Sequence, residues 1–327
     1  MKQQMLIEFI VVALVTFFLT VAIERFMIPI LKSRKVGQKI LEIGPRWHKS
    51  KEGTPTMGGI CFIFAMVIVA AIALLVNFEG ALPLVFALGL GIANALIGFV
   101  DDYTKLMKKQ NEGLLAWQKF LLQLLAAGVY LFAMKMWGGL ETTLHIPFTD
   151  LRPDLGIVYY AIAMILITGM SNSTNLTDGI DGLASSITLV VSGFLSLCAF
   201  RMGARSLSMI GALLIGGMLG FLVYNFHPAR VFMGDTGSLF LGGILTGAAF
   251  AMGSPLIILI AGLMFVVETA SVMLQVSVFK LSGRKKRLFL MAPIHHHFEK
   301  CGWGEIKIVS VFSALTVVFC VVAWFAI

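Results

Sequence analysis

YYAIAMILITGMSNSTNLTDGIDGLASSITLVVSGFLSLCAF, residues 159–200, sets a dense polar cluster between two apolar runs of membrane-crossing length. The runs decide the fold class and the cluster poses the functional question. Runs of the same kind recur along the chain, which is 58% hydrophobic and 13% charged, with a mean hydropathy of +0.93. Such a chain cannot face water on all sides, so the sequence predicts an all-α polytopic membrane protein in one integral-membrane domain, 1–327. Ten transmembrane helices are expected, at roughly 5–31, 57–77, 82–100, 117–136, 155–171, 183–200, 207–224, 238–252, 255–279 and 305–326. The first is too long for a secretory signal and has no small-residue cleavage site, so it reads as a retained span. The four cysteines are scattered with no CxxC pair and point to neither disulfides nor zinc.

Nineteen Lys and Arg residues fall on the connections after odd-numbered spans and six elsewhere. Positive residues stay on the cytoplasmic side, so both termini are expected outside and five loops inside. A basic rim also attracts anionic lipid or phosphate, whereas nucleic-acid binding would require a soluble basic domain that the sequence does not contain.

With that parity, the 172–181 cluster is cytoplasmic, and so are Asp101 and Asp102 of GFVDDYTK, Asp235 of NFHPARVFMGDTGS, and MAPIHHHFEKCGW. Five of the seven aspartates belong to these clusters. Each has a bland reading: helix-end capping for Asp101 and Asp102, a turn for NLTDGIDG, a metal patch or compositional accident for the three histidines. Gly216 and Gly220 read as a small-residue packing face, and no Walker loop is present. Two sequons begin at Asn172 and Asn175, but a cytoplasmic loop never meets the glycosylation machinery.

Clustered carboxylates with Lys and His at a membrane surface suit phosphoryl transfer onto a lipid. A divalent cation would neutralise a diphosphate, a second carboxylate would serve as base or nucleophile, and cationic side chains would stabilise the transferring group. The rival is an ion-coupled transporter, whose acids sit near the bilayer midplane and not at span ends. Glu268, deep in span 9, is the exception to acids at span ends and is assigned to neither reading; a helix break or a polar contact inside the bundle would account for it.

GTPTMGG (53–59), DDYTK (101–105), NSTNLTDGIDGLA (172–184), NFHPARVFMGDTGS (225–238) and APIHHHFE (292–299) together resemble the phospho-N-acetylmuramoyl-pentapeptide transferase family. That family lies within the superfamily that transfers sugar 1-phosphates to polyprenyl phosphates, and the triple histidine after AP favours it over other N-acetylhexosamine-1-phosphate transferases. The resemblance implies that UDP-N-acetylmuramoyl-pentapeptide and undecaprenyl phosphate react with Mg2+ to give the first lipid-linked peptidoglycan precursor and UMP. It also implies a homodimer in the bacterial plasma (inner) membrane. Carried onto this sequence, it makes Asp101, Asp102, Asp235, Lys119, His295, His296 and His297 catalytic, with Asp235 as the metal ligand. Lys51, Thr56, Asn175, Asp178, Gly179, Ile180, Asp181, Asn225, Phe232, Gly234, Gln275 and Ala292 become substrate-binding, with Phe232 beneath the base.

Overall fold

The computed structural model describes residues 2–34, 51, 53–76, 81–108 and 112–327. Most of the basic loop 32–56 lies outside the described residues, and so do 77–80 and 109–111. Twelve helices run through the described residues in the order α1 (Lys2–Ser33), α2 (Gly59–Leu75), α3 (Leu82–Lys108), α4 (Ala116–Trp137), α5 (Ile157–Thr177), α6 (Leu183–Met202), α7 (Arg205–Asn225), α8 (Gly234–Ala251), α9 (Ile257–Ala261), α10 (Leu263–Leu281), α11 (Ile294–Lys300) and α12 (Glu305–Trp324). Among the described residues no strand is longer than the single bridge Thr143–Asp154. In hydrocarbon, backbone groups are satisfied within helices, so an apolar chain of this kind folds this way.

Eight of these helices are long and apolar enough to cross a membrane: α1, α3 to α7, α10 and α12. The expectation of ten loses two members on that measure. α2 has only 17 residues, and α8 carries Asp235 in its first turn and is diluted by glycine. The ninth expected span is not continuous, because the chain breaks at Gly262 between α9 and α10.

Burial sorts the helices. α8 lies at the centre, with every residue from Thr236 to Phe250 buried, and packs on α3, α5 and α2. α7 packs on α1, where a Cβ at Gly216 would stand 2.2 Å from the Ala13 carbonyl oxygen, in keeping with the expected small-residue face. α1, α4 and α12 instead turn rows of large apolar side chains outward, among them Phe18, Phe26, Leu125, Phe132 and Val321. In water such rows would be a liability; against lipid they are the solvent-facing surface. The four cysteines are free.

The α3–α8 contact positions the site. A Cβ on Gly98 would stand 2.2 Å from the carbonyl oxygen of Asp235, so only glycine lets the two backbones come this close. One turn further along α3 come Asp101 and Asp102, which are thereby set beside the first turn of α8.

Candidate active site

Asp102 is 3% exposed and accepts hydrogen bonds from the backbone N–H of Thr236 (2.9 Å), that of Asp235 (3.2 Å) and the Thr236 hydroxyl (2.8 Å). A helix N-terminus leaves such N–H groups without intrahelical partners, and its dipole favours a negative charge. The capping role weighed for Asp102 is therefore present, but it caps α8 and not its own helix. Gly234, at φ +72°, passes so near Asp102 Oδ2 that a Cβ would stand 2.7 Å from it.

Asp101, also 3% exposed, accepts from the Leu114 N–H at 2.8 Å and pairs with Lys105 at 2.6 Å. Lys105 reaches on to Asp235 at 3.1 Å, and Lys119 meets the same Asp235 oxygen at 2.6 Å. The other Asp235 oxygen accepts from the Asn175 amide at 2.9 Å, which also donates to Ser238. Burial alone would push the Asp235 carboxyl up; Lys119 foremost, with Lys105, holds it far below its ordinary range.

Asp101, Asp102 and Asp235 offer oxygens within 4.8 Å of one another. Three carboxylates of this kind fit a hard divalent cation, with Lys105 and Lys119 now on the oxygens that would turn to it.

Beside the trio, Asp178 follows the last residue of α5. Burial first, then the negative fields of Asp235, Asp102 and Asp181, push it up to about 8, against the pull of Lys51. Asp181 by contrast is fully engaged: Lys51 at 2.6 Å, the Ala229 N–H at 3.0 Å and His227 at 2.9 Å. Glu305 closes this group, pairing with Lys51 at 2.7 Å and accepting the Asp181 N–H at 3.0 Å. A cleft of about 560 Å3 opens here, lined by Lys51, Asp181, His227 and Ala229 and, across it, by Trp303 and Glu305.

The four polar clusters of the sequence thus meet. Thr56 is buried and faces Gly234, and Phe232 is tied by backbone hydrogen bonds to Pro55 and Gly58. Ile180 is buried, while Gly179 lies against His295. Two polar residues expected to bind substrate, Asn225 and Gln275, and one expected to be catalytic, His295, have their amides or ring engaged by this chain. Asn225 is 2% exposed and joins Ser185 to the Val231 carbonyl, and Gln275 holds the backbone of Leu288 and Phe289. His295 is wholly buried, paired with Glu268 at 3.0 Å. Of its neighbours, His296 pairs with Glu299, and His297 accepts the Leu290 N–H. Ala292, half-buried, leads into α11 through a cis bond to Pro293.

Lys105, His227, Glu268 and Glu305 were not among the expected site residues. Lys105 was legible, standing four residues after Asp101 and three after Asp102 on one helix face. The acids themselves lie at helix ends, on the last turns of α3, just past α5 and on the first turn of α8.

A sequence model described as glycosyl transferase family 4 matches residues 84–253, the segment from α3 to the end of α8. A signature described as phospho-N-acetylmuramoyl-pentapeptide-transferase signature 1 matches residues 51–63, which hold Lys51 and Thr56. A phospho-N-acetylmuramoyl-pentapeptide-transferase of Clostridium perfringens strain SM101 is 45% identical over 317 residues, covering 96% of each chain. The chain belongs to the phospho-N-acetylmuramoyl-pentapeptide-transferase family. Proteins with the same name from Staphylococcus aureus (43% over 307 residues, 93% of this chain and 95% of the relative) and Staphylococcus carnosus (41% over 304 residues, 92% and 94%) are similar over the same extent. The similarity therefore includes the helices that carry Glu268 and the three histidines as well as the segment matched by the family model.

Proposed function

We propose that the chain moves phospho-N-acetylmuramoyl-pentapeptide from its UDP-linked form to undecaprenyl phosphate, releasing UMP and making the first lipid-linked peptidoglycan precursor. The observation that carries this is the meeting of three carboxylates and two lysines at helix ends in a chain of this family. Acids at helix ends suit a substrate that arrives from water and an acceptor that lies in lipid; a coupled transporter would place them near midplane.

The reaction is a displacement at phosphorus. An oxygen of undecaprenyl phosphate forms a bond to the β-phosphorus, and the bond from that phosphorus to the bridging oxygen breaks, leaving its electron pair on UMP. The acceptor is already an anion, so positioning and charge neutralisation matter more than activation. Lys119 and Lys105 supply fixed positive charge beside the transferring group, and Asp101 takes the acceptor's remaining proton where it carries one. Asp102 holds the first turn of α8 in place, so that Asp235 and its neighbours keep their geometry. Asn175 fixes the Asp235 carboxylate, and loop 178–181 with Phe232 seats the nucleotide. His296 and His297 serve recognition of the substrate's phosphates or muramoyl group. Mg2+, held principally by Asp235 with Asp101 and Asp102 at hand, would offset the diphosphate's charge.

The protein is read as a multi-pass unit of ten membrane crossings in the bacterial inner membrane, with both termini outside, the site facing the cytoplasm, and a homodimeric assembly. The positive charge bias of the loops supports the orientation.

Purified protein mixed with UDP-N-acetylmuramoyl-pentapeptide, undecaprenyl phosphate and Mg2+ is expected to release UMP. Asp235→Asn is expected to abolish that release and weaken its metal dependence in a protein that still elutes as a folded species, because an amide replaces an anionic ligand poorly. Solute uptake into proteoliposomes with no UMP under any condition would sink the proposal.

A further inference from the structure

Glu268 and His295 form a fully buried pair outside the carboxylate trio. Glu268 lies within α10 and His295 is the second residue of α11; both are 0% exposed. Glu268 Oε2 stands 3.0 Å from His295 Nδ1 and also faces the His295 backbone N–H at 3.5 Å. The contact through Nδ1 fixes the orientation of the ring and leaves Nε2 as its free end. That Nε2 is buried without a hydrogen-bond partner. A buried polar atom kept without a partner calls for a reason.

The reason lies at residue 179. A Cβ built on Gly179 would stand 2.2 Å from His295 Nε2 and 2.6 Å from Cε1. Gly179 does not have a positive φ, so backbone freedom does not demand glycine here. The ring occupies the space that any side chain would take. α10 is pinned to α5 one residue further on, where Thr269 donates to Ser173 at 2.8 Å. The end of α5 carries Asp178, Gly179, Ile180 and Asp181.

We infer that Glu268 and His295 are positioning residues: a buried strut running from α10 through the imidazole to Gly179, which sets the height of loop 178–181. This rests on the reading that the loop seats the nucleotide. Glu268 fixes the ring, the ring fixes the loop, and the loop brings Asp181 to the wall of the cleft. The strut explains why an acid is retained deep in α10 and why His295, unlike His296 and His297, has no exposed surface.

The test is a double-mutant cycle read by UMP affinity and by the separate kcat and KM for the UDP-sugar. Gly179→Ala forces the loop off the ring and is expected to weaken UMP binding at least 10-fold. His295→Asn shortens the side chain, vacates the Nε2 position and keeps an N–H for Glu268. Combined with Gly179→Ala it is expected to restore UMP affinity at least threefold over Gly179→Ala alone. Glu268→Ala is expected to raise KM by the same factor as His295→Ala, and the two together to cost no more than either. Glu268→Gln, which can still accept from Nδ1, is expected to rescue most of that loss. Should Gly179→Ala leave UMP affinity unchanged, the nucleotide assignment of the loop falls and the strut with it. Should affinity fall but the losses of Gly179→Ala and His295→Asn simply multiply, the strut alone is refuted. If His295→Asn does not yield folded protein, His295→Ala replaces it in the cycle with the same two outcomes.

Discussion

Substituting Gly98 by alanine tests whether the spacing of α3 and α8 sets the chemistry. The added methyl carbon would lie 2.2 Å from the Asp235 carbonyl oxygen, 2.4 Å from its carbon and 2.6 Å from the Thr236 nitrogen. All three are backbone atoms, so no rotamer change relieves the clash. Restoring a tolerable contact requires the helices to part by about 1 Å, which overpacking data place at roughly 1–3 kcal/mol of stability. The same displacement separates Asp101 and Asp102 from Asp235 and stretches the hydrogen bonds from residues 235 and 236 to Asp102. A misplacement of about 1 Å in a positioned site costs on the order of 100-fold in rate. The assay is UMP release at saturating UDP-sugar and lipid phosphate, with thermal unfolding in detergent alongside. The matched control is Gly89→Ala on the same helix, where nothing lies within 4 Å of the new carbon. The control is expected to be neutral or stabilised by up to about 1 kcal/mol, the gain of alanine over glycine in a helix. Gly98→Ala with kcat within threefold of the parent would refute the claim that this contact fixes the acids.

Three further outcomes follow from the site. The Asp178 carboxyl is pushed up to about 8 from an ordinary 3.8, so the folded protein keeps a proton that the unfolded chain releases. Its contribution to stability is complete below about 3.8 and is lost as pH rises through about 8, so Asp178→Asn is expected to gain on the parent in thermal midpoint between pH 5 and pH 8.5; parallel profiles would contradict the assignment. Single cysteines in 140–150 are expected to react with an impermeant maleimide in sealed cells and those in 284–300 only after permeabilisation, and the reverse pattern would overturn the orientation. Labelled UMP, incubated with enzyme, Mg2+ and the UDP-sugar in lipid-free detergent, is expected to leave the UDP-sugar unlabelled; exchange together with a trapped phospho-aspartate at 101, 102 or 235 would replace direct displacement by a two-step route.

The helices were legible because apolar runs of membrane length admit one regular structure, and the convergence of the acids was legible because loop charge gives parity. A break in span 9 was one of the two readings of Glu268, but its place at Gly262 was not legible, since no proline or charge marks that position and the residues on both sides are equally apolar. Within the site, residue type announced a need for partners without naming them. Asn225 and Gln275 looked like groups for a base or a sugar, yet their amides close backbone hydrogen bonds of this chain. Lys51, Asp181, Glu305 and His227 come from four separate segments, 130 residues apart for Lys51 and Asp181 and 254 for Lys51 and Glu305. Pairing over such separations is decided by packing and leaves no local pattern. Glu268 could be flagged as out of place in an apolar helix, but its partner 27 residues on became visible only with the fold.

Lys105 and Lys119 place two positive charges against the Asp101 and Asp235 carboxylates, beside Asp102. The bundle therefore carries its own counter-charge, and its folding does not have to wait for a divalent cation. Under the proposed Mg2+ dependence, chelation is expected to be a reversible off-state and not a route to denaturation: stripped protein should keep its thermal midpoint, store without aggregating, and regain full turnover when the ion is returned. For a cell, the proposed metal dependence would make free divalent concentration a throttle on the flow of wall precursor that leaves the amount of enzyme untouched.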